Sequence, residues 1–134
     1  MIFVDASALI SIVAKEPDAL DLAALLEAER TRLCSAMSLW ETVAGLCRSY
    51  MFSVESAQER VRLVRQHLGL QMVQIGEREH DLALQAYAQF GKGRHPAGLN
   101  MGDCFAYACA KAHRAALLFK GNDFSKTDIR LPGN

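Results

Sequence analysis

Met1-Ile2-Phe3-Val4-Asp5-Ala6-Ser7 opens the chain, and its reading decides the architecture. The apolar run Met1 to Val4 predicts a short strand buried on both faces, as a central strand of a parallel sheet must be. It stops at a carboxylate followed by a small residue and a hydroxyl. Asp5 therefore stands at the carboxyl end of a strand and just before a helix, where open α/β sheets place their ligand sites. Asp5 or Ser7 equally suits a helix N-cap ahead of Ala8-Leu9-Ile10. What separates the two readings is whether other acids converge on Asp5.

The 134 residues, 51% of them hydrophobic, suffice for one domain with a substantial core and are too few for two ordinary ones. Lysines plus arginines number 15, as do aspartates plus glutamates. That balance excludes the global positive field of many nucleic-acid-binding proteins and leaves such binding to local patches. Cys34, Cys47, Cys104 and Cys109 form no C-x-x-C pair, and three of them fall in segments that read as core, so buried reduced thiols are expected. With no apolar run of membrane-spanning length, no leader pattern and no internal repeat, the expectation is a soluble cytoplasmic protein without membrane contact.

Beyond the first strand, a mostly apolar segment at 7–15 predicts a helix packed on the sheet, broken at Glu16-Pro17-Asp18. An amphipathic helix over 18–30 follows, with Leu22, Leu25 and Leu26 on one stripe. Residues 32–36 suit a second parallel strand, and Leu39, Val43, Leu46, Cys47 and Tyr50 mark a helix over 37–52. Glu41 lies off that stripe. Ser38-Leu39-Trp40-Glu41 also matches the S-x-x-E capping box, which offers Glu41 a purely structural role. The apolar faces of these two helices, including Leu22, Leu26, Trp40 and Tyr50, exceed what one small sheet covers, so part is expected to serve association.

A second amphipathic helix over 54–68, with Arg60, Arg62 and Arg65 on its solvated side, ends at Gly69. A strand over 70–75 and a helix over 77–90 come next. Gly91-Lys92-Gly93-Arg94-His95-Pro96-Ala97-Gly98 is an irregular basic loop, read either as plain solvated loop or as a source of phosphate contacts. Asp103 sits in the first turn of an apolar helix, where the dipole favours an acid whatever its function. Residues 116–119 predict a fourth strand ending in Lys120-Gly121-Asn122-Asp123-Phe124, and Thr127-Asp128-Ile129 a short edge strand.

Strands alternating with helices predict an α/β fold, a three-layer α/β/α sandwich around a mostly parallel sheet of four to five strands. Asp5 and Asp123 then end strands, and Glu41 and Asp103 begin helices, so all four acids can face one edge of the sheet. Crowded carboxylates resist ionisation unless a cation sits among them, and hard oxygen donors select Mg²⁺ or Mn²⁺. The chemistry expected of such a cluster is metal-assisted phosphodiester hydrolysis.

Val4-Asp5-Ala6-Ser7-Ala8-Leu9, Glu41 early in its helix, Gly98-Leu99-Asn100-Met101-Gly102-Asp103-Cys104 and Leu118-Phe119-Lys120-Gly121-Asn122-Asp123-Phe124 together resemble the PIN-domain ribonucleases, and specifically the VapC toxins of bacterial toxin–antitoxin pairs. The resemblance covers nearly the whole chain. It implies a Mg²⁺- or Mn²⁺-dependent endoribonuclease, dimeric, and held inactive in a hetero-oligomer by a VapB antitoxin. It puts Asp5, Glu41, Asp103 and Asp123 in the catalytic and metal-binding set. Ser7, Asn100 and Asn122 become hydrogen-bonding supports, and Lys92, Arg94, His95 and Lys120 contacts to RNA. Some relatives carry an acid at the place of Asn122, which leaves open whether Asn122 or Asp123 faces the metal. A receiver domain would need an aspartate ending the third strand, where 70–76 has none, and a haloacid dehalogenase-type phosphatase would need Asp-x-Asp in place of Asp5-Ala6-Ser7. A non-catalytic RNA- or protein-binding module is the remaining alternative.

Overall fold

The computed structural model describes residues 1–133. In chain order the elements are β1 (Ile2–Val4), α1 (Ala6–Ala14), α2 (Ala19–Glu27), β2 (Arg32–Ser35), α3 (Ala36–Tyr50), α4 (Val54–Leu68), β3 (Leu70–Val73), α5 (Glu77–Phe90), α6 (Met101–Ala112) and β4 (Ala116–Leu118), followed by a 3₁₀ turn at Phe124–Lys126. All strand pairs are parallel, in the order β3-β2-β1-β4. The chain begins in the interior of its own sheet and adds strands on either side. That reversal of strand order beside β1 is the topological switch at which such sheets open a crevice beyond their carboxyl ends.

The pleat sorts the strand side chains into two layers with a period of two. Phe3, Leu33 and Leu117 share a core with Ala83, Phe90 and Tyr107 of α5 and α6. Ile2, Val4, Cys34 and Leu118 belong to the opposite core, with Leu9, Leu22, Leu26 and Leu68 of α1, α2 and α4. The result is the expected three-layer sandwich. A third cluster, Val13, Leu46, Ala57 and Val61, joins α1, α3 and α4. There α1 and α3 approach closely at Gly45, where a Cβ would overlap Ile10 Cδ1. The boundaries expected at 54–68 and 77–90 are those observed.

Two expectations need correction. Residues 127–129 form no strand: Phe124 O accepts both the Thr127 N–H at 3.1 Å and Thr127 Oγ1 at 2.7 Å, which turns the backbone. Asp128 is taken by Tyr107 Oη at 2.6 Å and Lys111 Nζ at 2.8 Å on α6. One bond from the Leu117 N–H to Arg130 O, at 2.9 Å, is what remains of an edge pairing. Helix α3 starts at Ala36, and its capping box is Ser35 with Ser38, each backbone N–H donating to the other's Oγ at 2.9–3.0 Å. Ser38 is therefore the third helical residue and not the cap, so Glu41 has no part in capping. The apolar surplus also divides: Leu22 and Leu26 are buried, while Trp40 is 71% and Tyr50 39% exposed.

Phe3 is wholly enclosed between β1 and the α5–α6 layer, so Phe3→Ala should cost about 3–5 kcal/mol in urea unfolding. A loss below about 1 kcal/mol would mean that β1 is not the shared wall of the two cores.

Candidate active site

Asp5 follows β1 directly and is the N-cap of α1, its backbone extended and its carboxylate accepting from the Ser7 N–H at 3.0 Å and Ser7 Oγ at 2.6 Å. Asp5 is thus both the residue at the end of β1 and the cap of α1. The Asp5 N–H donates to Leu118 O at 2.9 Å, and the Lys120 N–H donates to Ser7 Oγ at 2.9 Å. These bonds tie the exit of β4 to the exit of β1 and bring the turn carrying Asp123 to the same edge. Asp5 is buried, although it carries a group that prefers water.

The other acids arrive from helix starts. Asn100 caps α6: its side chain accepts from the Asp103 N–H at 2.9 Å, and the Asp103 carboxylate accepts from the Asn100 N–H at 3.1 Å. Asp103 closes this capping box while standing beside Asp5. Glu41, on the second turn of α3, lies against Gly102, and a Cβ there would overlap its carboxylate. Nothing in the one-dimensional pattern pairs Glu41 with Gly102. Asp123, at the start of the 3₁₀ turn, makes no capping bond with its side chain. Asn122 contributes its carbonyl to Ser125 Oγ at 2.7 Å.

Electrostatics joins the four. Burial pushes the Glu41 carboxyl up to about 7, with the charges of Asp5 and Asp103 adding to the shift. Burial likewise lifts Asp103 to about 6, assisted by Asp5 and Asp123 and opposed by the Asn100 N–H. Asp5 is raised too, mainly by desolvation against the lowering bonds from Ser7, and Asp123 contributes repulsion. Asp123 adds repulsion to both Asp5 and Asp103. Among the described residues no three His, Cys, Asp or Glu side chains close into a ready-made ligand cage. The donor chemistry still fits a hard divalent cation, since these carboxylate oxygens, from buried Asp5 to exposed Asp123, repel one another and are hard donors.

The basic residues divide. Lys92 and Arg94 are exposed on the loop between α5 and α6, the Arg94 guanidinium 4.9 Å above the Tyr87 ring. His95 Nδ1 accepts from the Ala97 N–H at 3.0 Å and its ring packs edge-on against Phe90, so it shapes the loop. Lys120, grouped with these by sequence, has its ammonium held by Glu16 at 2.5 Å and Asp18 at 3.3 Å in the turn between α1 and α2. Tyr50 Oη bonds the same Glu16. That network joins residues far apart in the chain and pairs Lys120 with two carboxylates. Gly102 likewise meets Glu41 from a distant part of the chain.

The raised carboxyls fix a pH dependence of opposite sense to the usual acid. The folded chain binds more protons than the unfolded one from the ordinary carboxylate range up to about pH 7, so stability falls as pH rises through that window. In chelator, the urea midpoint should be higher at pH 5.5 than at pH 8, and Glu41→Gln should shrink the difference. Equal midpoints would show that folding does not raise these carboxyls. Because Ser35 and Ser38 cap α3, Ser35→Ala should cost about 1 kcal/mol while Glu41→Gln costs none through capping.

The model of the family described as PIN domain matches residues 2–130. Ribonuclease VapC30 of Mycobacterium tuberculosis is 41% identical over 126 residues, covering 94% of each chain. VapC ribonuclease R02377 of Rhizobium meliloti is 38% identical, covering 96% of this chain and 99% of its own. Among solved structures, the M. tuberculosis toxin VapC20, described as cleaving the sarcin-ricin loop, superimposes with a TM-score of 0.74 at 16% identity over 96% of both chains, a likeness of fold. With the acids at one sheet edge and relatives of this similarity over nearly its full length, the chain belongs to the PIN-domain family of VapC ribonucleases.

Proposed function

We propose that this chain is a divalent-metal-dependent endoribonuclease and the toxin of a toxin–antitoxin pair, with Asp5, Glu41, Asp103 and Asp123 as its working acids. The observation that carries the reading is the gathering of these acids at the carboxyl edge of the sheet, where burial first and the charges of their neighbours second raise Glu41 to about 7 and Asp103 to about 6. Asp5, Glu41, Asp103 and Asp123 would hold Mg²⁺ or Mn²⁺, which supplies a water of lowered pKa and neutralises phosphate charge. The protein's own contributions are separable. Ser7 fixes Asp5 through two bonds, and Asn100 fixes Asp103 through two more. Glu41, its carboxyl raised to about 7, is suited to exchange a proton with an attacking water.

Lys92 and Arg94 would meet RNA phosphates, with His95 holding their loop in shape. A VapB-type antitoxin would find a broad apolar groove between α3 and α4, where Trp40 and Met72 are exposed and Arg48, Arg62 and Arg65 stand at the margin. An acidic amphipathic segment complements such a rim. A homodimer and a toxin–antitoxin hetero-oligomer belong to the same reading. So does a cytoplasmic setting, which suits four unpaired cysteines. Among the described residues no helix is long and apolar enough to cross a membrane.

Cleavage of single-stranded RNA by the purified chain should require Mg²⁺ or Mn²⁺, cease in chelator, and fall by orders of magnitude in Asp5→Asn and Glu41→Gln. Both variants should stay folded, and the metal should raise their melting temperature less than that of the wild type. RNA bound but never cut, whatever the metal, would favour a non-catalytic binding module.

A further inference from the structure

Between α5 and α6 lies a second concavity of about 380 Å³, a size at the lower end of small-ligand sites. Its floor is Leu99 and Cys104, and its walls include Leu84, Tyr87 and Met101, which are 55%, 44% and 69% exposed. Lys92 stands on the rim, and Arg94 covers one side of the Tyr87 ring. The loop bearing these cations is pinned by the Lys92 N–H to Leu99 O and the Leu99 N–H to Phe90 O, both at 3.0 Å. The cleft reaches the acids through Asn100, which lines it and also holds the Asp103 carboxylate.

An exposed aromatic ring in an apolar slot, cations on its margin, and an acidic cluster within one helical turn match what an unpaired nucleobase needs. The base's face stacks on an aromatic ring irrespective of sequence, its edges exclude water from the apolar wall, and its phosphates meet the cations. An apolar peptide could use the wall alone; the exposed ring together with the flanking cations favours a base joined to its phosphate. We propose that this cleft is a nucleobase subsite, in which Tyr87 and Met101 receive one unstacked base of the RNA next to the phosphate that faces Asp103. The proposal rests on the ribonuclease reading for its ligand, and its test is by binding, which does not require cleavage.

Single-stranded RNAs carrying 2-aminopurine at successive positions are titrated with the full-length wild-type chain in chelator, and with Tyr87→Phe, Tyr87→Ala and Lys92→Ala. Tyr87 is half exposed, so its truncation leaves the core intact. At one position, binding should quench the fluorescence for wild type and Tyr87→Phe. Tyr87→Ala should lose that quenching and bind roughly tenfold more weakly with an unchanged salt slope. Lys92→Ala should lower the log–log salt slope by about 0.7 and keep the quenching. An abasic nucleotide at the quenched position should weaken wild-type binding and leave Tyr87→Ala unaffected. Uniform fluorescence at every position, or equal affinity of Tyr87→Ala and wild type, overturns the subsite; so does a change in oligomeric state on Tyr87→Ala without a change in RNA binding, which would give the cleft to a second copy of the chain. Cleavage assayed separately with metal decides the ribonuclease reading: quenching without cleavage keeps the subsite and removes the enzyme, and cleavage without quenching does the reverse.

Discussion

Enclosure of Ile2, Phe3 and Val4 on both faces of the sheet carries Asp5 inward, because the residue that follows a fully buried strand has little solvated space to enter. A carboxylate in that position loses hydration and regains only part of it from Ser7. The rest of the edge is arranged around that deficit. Each further acid placed near Asp5 deepens it, so the folded chain accepts an electrostatic penalty that a neutral core would avoid. Penalties of this kind persist where the surrounding structure overdetermines the geometry. Here two hydrophobic layers and the ties between the exits of β1 and β4 do so.

The helices that complete the edge are held by two different devices. Asn100 and Asp103 lock the start of α6 through a reciprocal pair of bonds, so this acid's position follows from helix initiation. Glu41 is positioned by absence: a missing side chain at Gly102 makes room for it. Asp123 sits in an exposed turn, reaching the cluster by charge alone. Exposure thus grades across the site from buried Asp5 to exposed Asp123.

Much of this was legible in one dimension. The run through Val4 betrayed a central strand because only a doubly covered strand is apolar at every position, and α4 and α5 declared their limits through periodicity and capping residues. Strand-to-helix order then forced the acids to one edge. Illegible features were of two kinds. Ser35 and Ser38 both qualify as caps, three residues apart, and only the length of β2 decides between them. Lys120 bonds Glu16 across 104 positions of sequence, and Glu41 meets Gly102 across a helix–helix contact, pairings that no local pattern encodes.

Asp103's place in the capping box has a consequence for how alanine scanning of this site is to be interpreted. Truncating it removes an acid from the cluster and the partner of the Asn100 N–H at once, so α6 would fray at the end where the edge is assembled. Lost turnover in such a variant would confound chemistry with helix initiation. Asparagine in its place keeps an acceptor for the backbone and discards only the charge, which makes it the informative replacement there, whereas at Glu41 no capping bond is at stake and any neutral isostere reports on the charge directly.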